Sequence, residues 1–297
     1  PCAVYVYEVL GCGAWGGYLG GVVFTDPSAT GINPGSLVGS VRSVEEAGGD
    51  ATAPGIAIEL IVSDDGSPDD TLARCLAFAF RTDLRLRIYT KPNQGLVHSL
   101  HCGLALAEGR YFAVMASDDS YMAGGLEQVQ AALLASESPI GALLCQAVYL
   151  AEHGNPIDGR PVYGQAHAVL LRGSAAERLD AVCTEYPKPL LLHASVCETR
   201  LLREIGVWRD GLALDDWPTF IRIFMAEAAN KTSVRYCSDI VLARYRLHGD
   251  GVHNRLDRQL RLTEQVAREL VPPHYRCLLY TSPSPRDRTR SRMPSSA

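Results

Sequence analysis

From residue 21 to about 150 the apolar positions of the chain switch between short continuous runs and helical spacing. Short runs bounded by turn residues predict buried strands, and apolar residues recurring every three or four predict helices packed on them. Residues 21–24 predict a first strand, followed by a Pro/Gly-rich loop over 26–35 and a helix marked by Leu37, Val41 and Val44. Residues 58–62 predict a second strand that ends in Ser63-Asp64-Asp65-Gly66-Ser67. Ser67 reads as the cap of the next helix and Pro68 as its first residue, with Leu72, Cys75, Leu76 and Ala79 on the inner face. Over 84–89 apolar residues alternate with Arg85 and Arg87, which predicts a third strand. Asn93-Gln94-Gly95 then breaks the chain before a helix carrying Leu96, Leu100, Leu104 and Ala107. Tyr111–Ala116 is a fourth apolar run, and Ser117-Asp118-Asp119-Ser120 follows it directly. Further on, the pattern predicts helices near 123–136, 199–205 and 216–229, a strand near 140–150 and a strand-rich stretch over 233–247.

Strands alternating with helices predict an α/β fold, read here as a single domain around a mostly parallel central sheet. Two of the strands end in acidic pairs, Asp64-Asp65 and Asp118-Asp119. Open α/β sheets bind ligands at the carboxyl ends of their strands, so both pairs are expected to face one crevice. The formal net charge of −5 argues against nucleic acid as the partner. No apolar run approaches the roughly 20 residues that span a bilayer. The nine cysteines form no CxxC pair, so they read as small buried hydrophobes of a cytoplasmic protein and not as a zinc site.

Asp118-Asp119 carries the strongest chemical signal. It emerges from a buried strand, and two carboxylates held together repel unless a cation sits beside them. Hard oxygen ligands suit Mg2+ or Mn2+, ions that bridge protein carboxylates to substrate phosphates. Downstream, Asp215-Asp216 opens a predicted helix, where acids are also favoured by the helix dipole.

The runs IELIVSDDGSPDDT and NQGLVHSLHCGLALAEGRYFAVMASDDSY, followed more loosely by GLALDDWPTFIR and YRLHGDGVH, resemble family 2 glycosyltransferases of the GT-A (Rossmann-like) fold. The resemblance is specific over 21–130 and looser to about 255. It implies a sugar transfer from a nucleotide-diphosphate-sugar donor, UDP- or dTDP-linked, to a hydroxyl of a saccharide or lipid-linked acceptor. It implies inversion at the anomeric carbon, dependence on Mg2+ or Mn2+, and a part in envelope or extracellular polysaccharide synthesis at the inner face of the membrane. By position, Asp65 and Thr25 would contact the donor base, Asp118 the ribose, and Asp119 the metal on the diphosphate. Asp216 matches the general base, and His248 a phosphate or metal contact. The chain departs from the family pattern at His101, where Asn is common, and at Ser117, where an acid is common. Trp217 is open to two readings, a sugar-stacking ring or a core residue.

Two other classes of protein share part of this pattern. A nucleotidyltransferase that makes nucleotide sugars needs a basic, glycine-rich phosphate loop after the first strand, and 26–35 holds no Lys or Arg. A non-catalytic sugar-nucleotide-binding module predicts loss of a metal or base carboxylate, yet Asp119 and Asp216 are both present. The expected layout is an unassigned segment over 1–20, a nucleotide-sugar-binding half over 21–135 and an acceptor-side half over 136–260. Residues 277–297 resemble a translated sequencing-library adapter, so native sequence is expected to stop near Arg276, and an opening Pro1 is expected of a fragment.

Overall fold

The computed structural model describes residues 2–11, 56–68, 70–80, 85–116, 119–150, 156–184, 190–208, 211–247 and 256–276. In chain order these form β1 (Cys2–Gly11), β2 (Ile56–Asp65), α1 (Thr71–Ala79), β3 (Arg85–Thr90), α2 (Leu96–Leu106), β4 (Tyr111–Ala116), β5 (Ser120–Tyr121), α3 (Gly125–Leu134), β6 (Ala142–Leu150) and β7 (Pro156–Pro161). There follow α4 (Gln165–Arg172), α5 (Ala175–Thr184), a 3-10 turn (Leu192–Ala194), β8 (Ser195–Glu198), α6 (Thr199–Glu204), α7 (Asp216–Ala228), β9 (Val234–Arg246) and α8 (Leu256–Glu269). All the strands belong to one sheet in the order β3-β2-β1-β4-β8-β6-β9-β5, with β7 paired to β6.

β4 shows why helices cover both faces of this sheet. Its apolar run is buried from Tyr111 to Met115, so neither face meets water there. Phe112 and Val114 pack with Ile61, Leu144, and Leu100 and Leu104 of α2 and Phe220 and Ile223 of α7. Tyr111, Ala113 and Met115 face the other way, onto Phe78 of α1 and Leu126 and Val129 of α3. The period of two along one strand thus serves two cores.

The first half of the sheet is parallel. β2 pairs with β3 and β1, and β1 with β4, each by a parallel ladder. The expected mostly parallel sheet does not extend further. β8 is antiparallel to β4 and β6, β7 to β6, and β5 to β9, while β6 and β9 run parallel. For β6 and β7 connection length is the reason: they are joined by the short segment 151–155, which only an antiparallel pair allows, whereas parallel neighbours need a crossover of a dozen residues or more.

The first strand also differs from the expectation. The strand seated between β2 and β4 is β1, paired with β2 from Cys2↔Ile56 to Gly11↔Asp65. Its sequence, rich in Val and Tyr, has the composition of a strand. The expected strand at 21–24 and the helix after it lie outside the described residues.

Candidate active site

The parallel register brings the ends of β2 and β4 to one edge of the sheet. Val9 of β1 is level with both Ser63 of β2 and Ala116 of β4. The acids beyond them therefore leave the same edge, two strand spacings or roughly 10 Å apart.

At the end of β2 the two carboxylates hold loops. Asp64 accepts the Ser67 N–H at 3.0 Å and the Thr90 hydroxyl at 3.0 Å. Asp65 is fully buried. It pairs with the Lys91 ammonium and accepts the N–H groups of Gln94 at 2.9 Å and Gly95 at 2.8 Å. It thereby fixes the segment that starts α2. Among the described residues these three donors fill most of the roughly four acceptor sites of a carboxylate. Gly66 lets the two loops touch: its φ is +81°, and a Cβ there would lie 3.0 Å from Asn93 N and 3.1 Å from Lys91 O.

Beyond β4, Asp119 is buried with 2% exposure. Its Oδ1 accepts the Arg246 N–H at 2.8 Å, and its Oδ2 lies 2.7 Å from His193 Nδ1. His193 sits in the 3-10 turn, and its neighbour Leu192 donates its N–H to Asp216 Oδ1 at 2.8 Å. The turn itself is clamped. The Leu191 N–H donates to the Tyr163 hydroxyl at 2.7 Å, and the Ser195 hydroxyl to the Leu192 carbonyl at 2.9 Å. Gln146 fixes Tyr163 in turn, donating to its carbonyl at 3.0 Å and accepting its N–H at 2.9 Å. The rings of Tyr245 and Tyr149 extend a wall from His193, with centroids 6.4 Å and 6.1 Å apart in succession.

The cluster shifts its own titrations. Burial pushes the Asp216 carboxyl up, Asp215 and Asp119 push it the same way, and His193 and the Leu192 N–H oppose them; the carboxyl settles at about 8. Burial pulls His193 down, but Asp119, Asp216 and Asp215 outweigh it and hold the imidazole at about 9. A carboxyl held near neutrality beside a buried carboxylate and an imidazole has the electrostatics that proton transfer uses.

Among the expected residues, Asp65, Asp119 and Asp216 are described, and Asp119 and Asp216 meet at the same turn. Thr25, Asp118 and His248 lie outside the described residues. Trp217 is a core residue, buried, with its indole N–H donating to the Val182 carbonyl at 2.9 Å. His101 is exposed on α2. His193 and Lys91 went unnoticed in the sequence. His193 follows the apolar run Leu190-Leu191-Leu192, a weak signal, and no motif spacing links it to either acid.

Residues 34–144 match the sequence profile of the family described as Glycosyl transferase family 2. Over 73 residues the chain is 38% identical to a protein of Haemophilus influenzae described as an uncharacterized glycosyltransferase, a match that covers 24% of this chain. The chain thus spans 22% of the length of that relative. The fold is similar to that of S. aureus TarS 1-349 in complex with UDP-GlcNAc, with a TM-score of 0.60, 15% identity, and coverage of 94% of this chain and 70% of that one. It is also similar to the mannosyltransferase PcManGT from Pyrobaculum calidifontis in complex with GDP-Man and Mn2+, with a TM-score of 0.56, 16% identity, and coverage of 94% and 68%. These likenesses give the fold as GT-A.

Proposed function

We propose, from the match of residues 34–144 to the profile of glycosyl transferase family 2, that the protein moves a sugar from a nucleoside-diphosphate-sugar donor to an acceptor hydroxyl, with inversion. The observation that carries this reading is the tie of Asp119 and Asp216 to one turn, through His193 and the Leu192 N–H. In this reading Asp216 takes the proton of the acceptor hydroxyl as the new bond forms. Its partly exposed position at the head of α7 suits such a base. Asp119 presents one fixed oxygen and one oxygen beside His193, a hard donor set that fits Mg2+ or Mn2+. A bound divalent ion supplies Lewis-acid stabilisation for the charge that grows on the departing diphosphate. Asp65 serves the donor base, with Thr25 beside it, Asp118 at the ribose and His248 at the phosphates or the metal.

The donor half corresponds to 21–135 and the acceptor half to 136–260, with a saccharide or lipid-linked alcohol as acceptor and UDP- or dTDP-sugars as donors. Synthesis of envelope or extracellular polysaccharide at the cytoplasmic face of the membrane is the setting this chemistry suits. Among the described residues no helix is long and apolar enough to cross a membrane.

The test is nucleoside diphosphate release from a panel of donors with Mn2+ or Mg2+. D216N is expected to keep donor affinity and lose about 10²–10⁴-fold in turnover. D119N is expected to abolish the metal-stimulated rate, and full metal-dependent turnover in D119N would refute the assignment.

A further inference from the structure

Two cysteines stand opposite each other on neighbouring strands. In the parallel ladder of β6 and β9, Cys145 and Cys237 are Cα partners. Residues paired in this way put their side chains on one face of the sheet. Both belong with Leu143, Ile240 and Leu242 to the core on that face, and both are free thiols. Paired strands lie about 4.8 Å apart, inside the roughly 4.4–6.8 Å that a disulfide spans between Cα atoms. The ladder loses register directly after this pair, because Gln146 is partnered by Val241. Residues 238–240 are therefore an extra excursion of β9, and an interrupted ladder lets the two strands adjust. Ser238 and Asp239 on the excursion are exposed, and Cys237 at its root is half-buried. Cys145 beside it is fully buried. Cys197, on the neighbouring strand β8, belongs to the core on the other face, so Cys237 is the thiol that Cys145 meets across strands.

We infer that Cys145 and Cys237 are a dithiol modification site, which a low-molecular-weight disulfide closes to a cross-strand disulfide. The half-buried thiol reacts first and the buried one resolves it. The Cys237 thiolate attacks one sulfur of the small disulfide, forming a mixed disulfide and releasing one small thiol. Cys145 then gives its proton to solvent and attacks the Cys237 sulfur, so that the Cys145–Cys237 bond forms and the second small thiol leaves. Two electrons pass from the protein thiols to the reagent, and the atoms balance. Burial pushes the Cys145 thiol up, with Cys237 and Asp239 acting in the same sense. Burial also pushes Cys237 up, with Asp239 adding to it and Arg235 opposing. Both therefore rest as thiols, and the exchange is slow at neutral pH and faster as pH rises. The closed bond ties β6 to β9 upstream of Tyr149, Tyr245 and the Arg246 N–H that Asp119 accepts.

The test exposes the native full chain to glutathione disulfide at mildly alkaline pH, blocks the remaining thiols with iodoacetamide and maps the unreduced peptides by mass spectrometry. The wild-type chain is expected to yield a peptide pair joined through Cys145 and Cys237, two hydrogens lighter than the reduced pair. C145A is expected to stop at the mixed disulfide of Cys237 with glutathione. C237S is expected to leave Cys145 alkylated only after unfolding, and unlinked. The wild-type map decides the matter if C145A does not fold. A wild-type chain in which Cys237 stays a thiol or an unresolved mixed disulfide overturns the inference. So does a Cys145 joined to another cysteine, a Cys145 that glutathione disulfide still modifies in folded C237S, or a Cys145–Cys237 link that forms only in urea.

Discussion

Asp216 and His193 are neighbours whose ionisations work on each other, and two pH dependences follow. The carboxyl of Asp216 is pushed up to about 8, by burial first and by Asp215 next. A base acts only when ionised, so kcat/KM for the acceptor is expected to rise with pH and level off above about 8, and D216N is expected to lack that limb. A group whose pKa is raised by folding stabilises the protein fully below its unfolded pKa and ceases to do so as pH passes the folded one. His193, held at about 9, therefore favours the fold below roughly 6.5 and loses that contribution up to about 9. Asp216 changes in the same sense toward about 8. The melting temperature of the metal-free protein is expected to fall between pH 6.5 and 9, with a shallower fall in H193Q. An unchanged slope in H193Q would contradict this assignment.

At the scale of elements, the acidic end of β2 behaves differently from its sequence expectation. Ser67 and Pro68 read as the start of a helix, yet α1 begins at Thr71. The Ser67 N–H is taken by the Asp64 carboxylate, which closes a tight turn and postpones the helix. That turn is pressed against the segment 91–95, where Gly66 leaves no room for a side chain. G66A must hold a left-handed φ and displace backbone atoms at 3.0 Å, and is expected to cost about 1–3 kcal/mol in urea unfolding. It is also expected to weaken donor binding, because Asp65 is fixed by the same segment. A G66A protein as stable as wild type would show that the two loops separate freely.

Across the whole molecule, the second half depends on a buried ion pair that no strand or helix pattern announces. Arg178 of α5 donates to Glu227 of α7 at 2.8 Å, and Glu227 also accepts the Val234 N–H at 3.1 Å where β9 begins. Arg178 further donates to the carbonyl of Leu171 at 3.1 Å. The pair thus joins two helices to the strand that delivers Arg246 to Asp119. E227Q leaves a buried guanidinium without its countercharge and is expected to lower stability by about 3–5 kcal/mol. The double variant R178M/E227L removes both charges and is expected to recover much of that loss. Urea midpoints of the two variants check this, and a double variant as unstable as E227Q would refute it.

The sequence by itself determined the α/β class, the strand that ends at Asp65, the strand that precedes Asp119, and the helix headed by Asp216. Those features are local: apolar runs, breaks at glycine, and acids at the ends of runs are all read within a few residues. It also carried the resemblance that the family match over 34–144 bears out. Only the tertiary structure decided that β8 enters the sheet antiparallel, that Trp217 is core, and that β1 takes the place between β2 and β4. It alone brought His193 to Asp119 across 74 residues of chain. Contacts of that separation leave no periodicity in the sequence, because they are fixed by which strand ends share an edge and not by spacing along the chain.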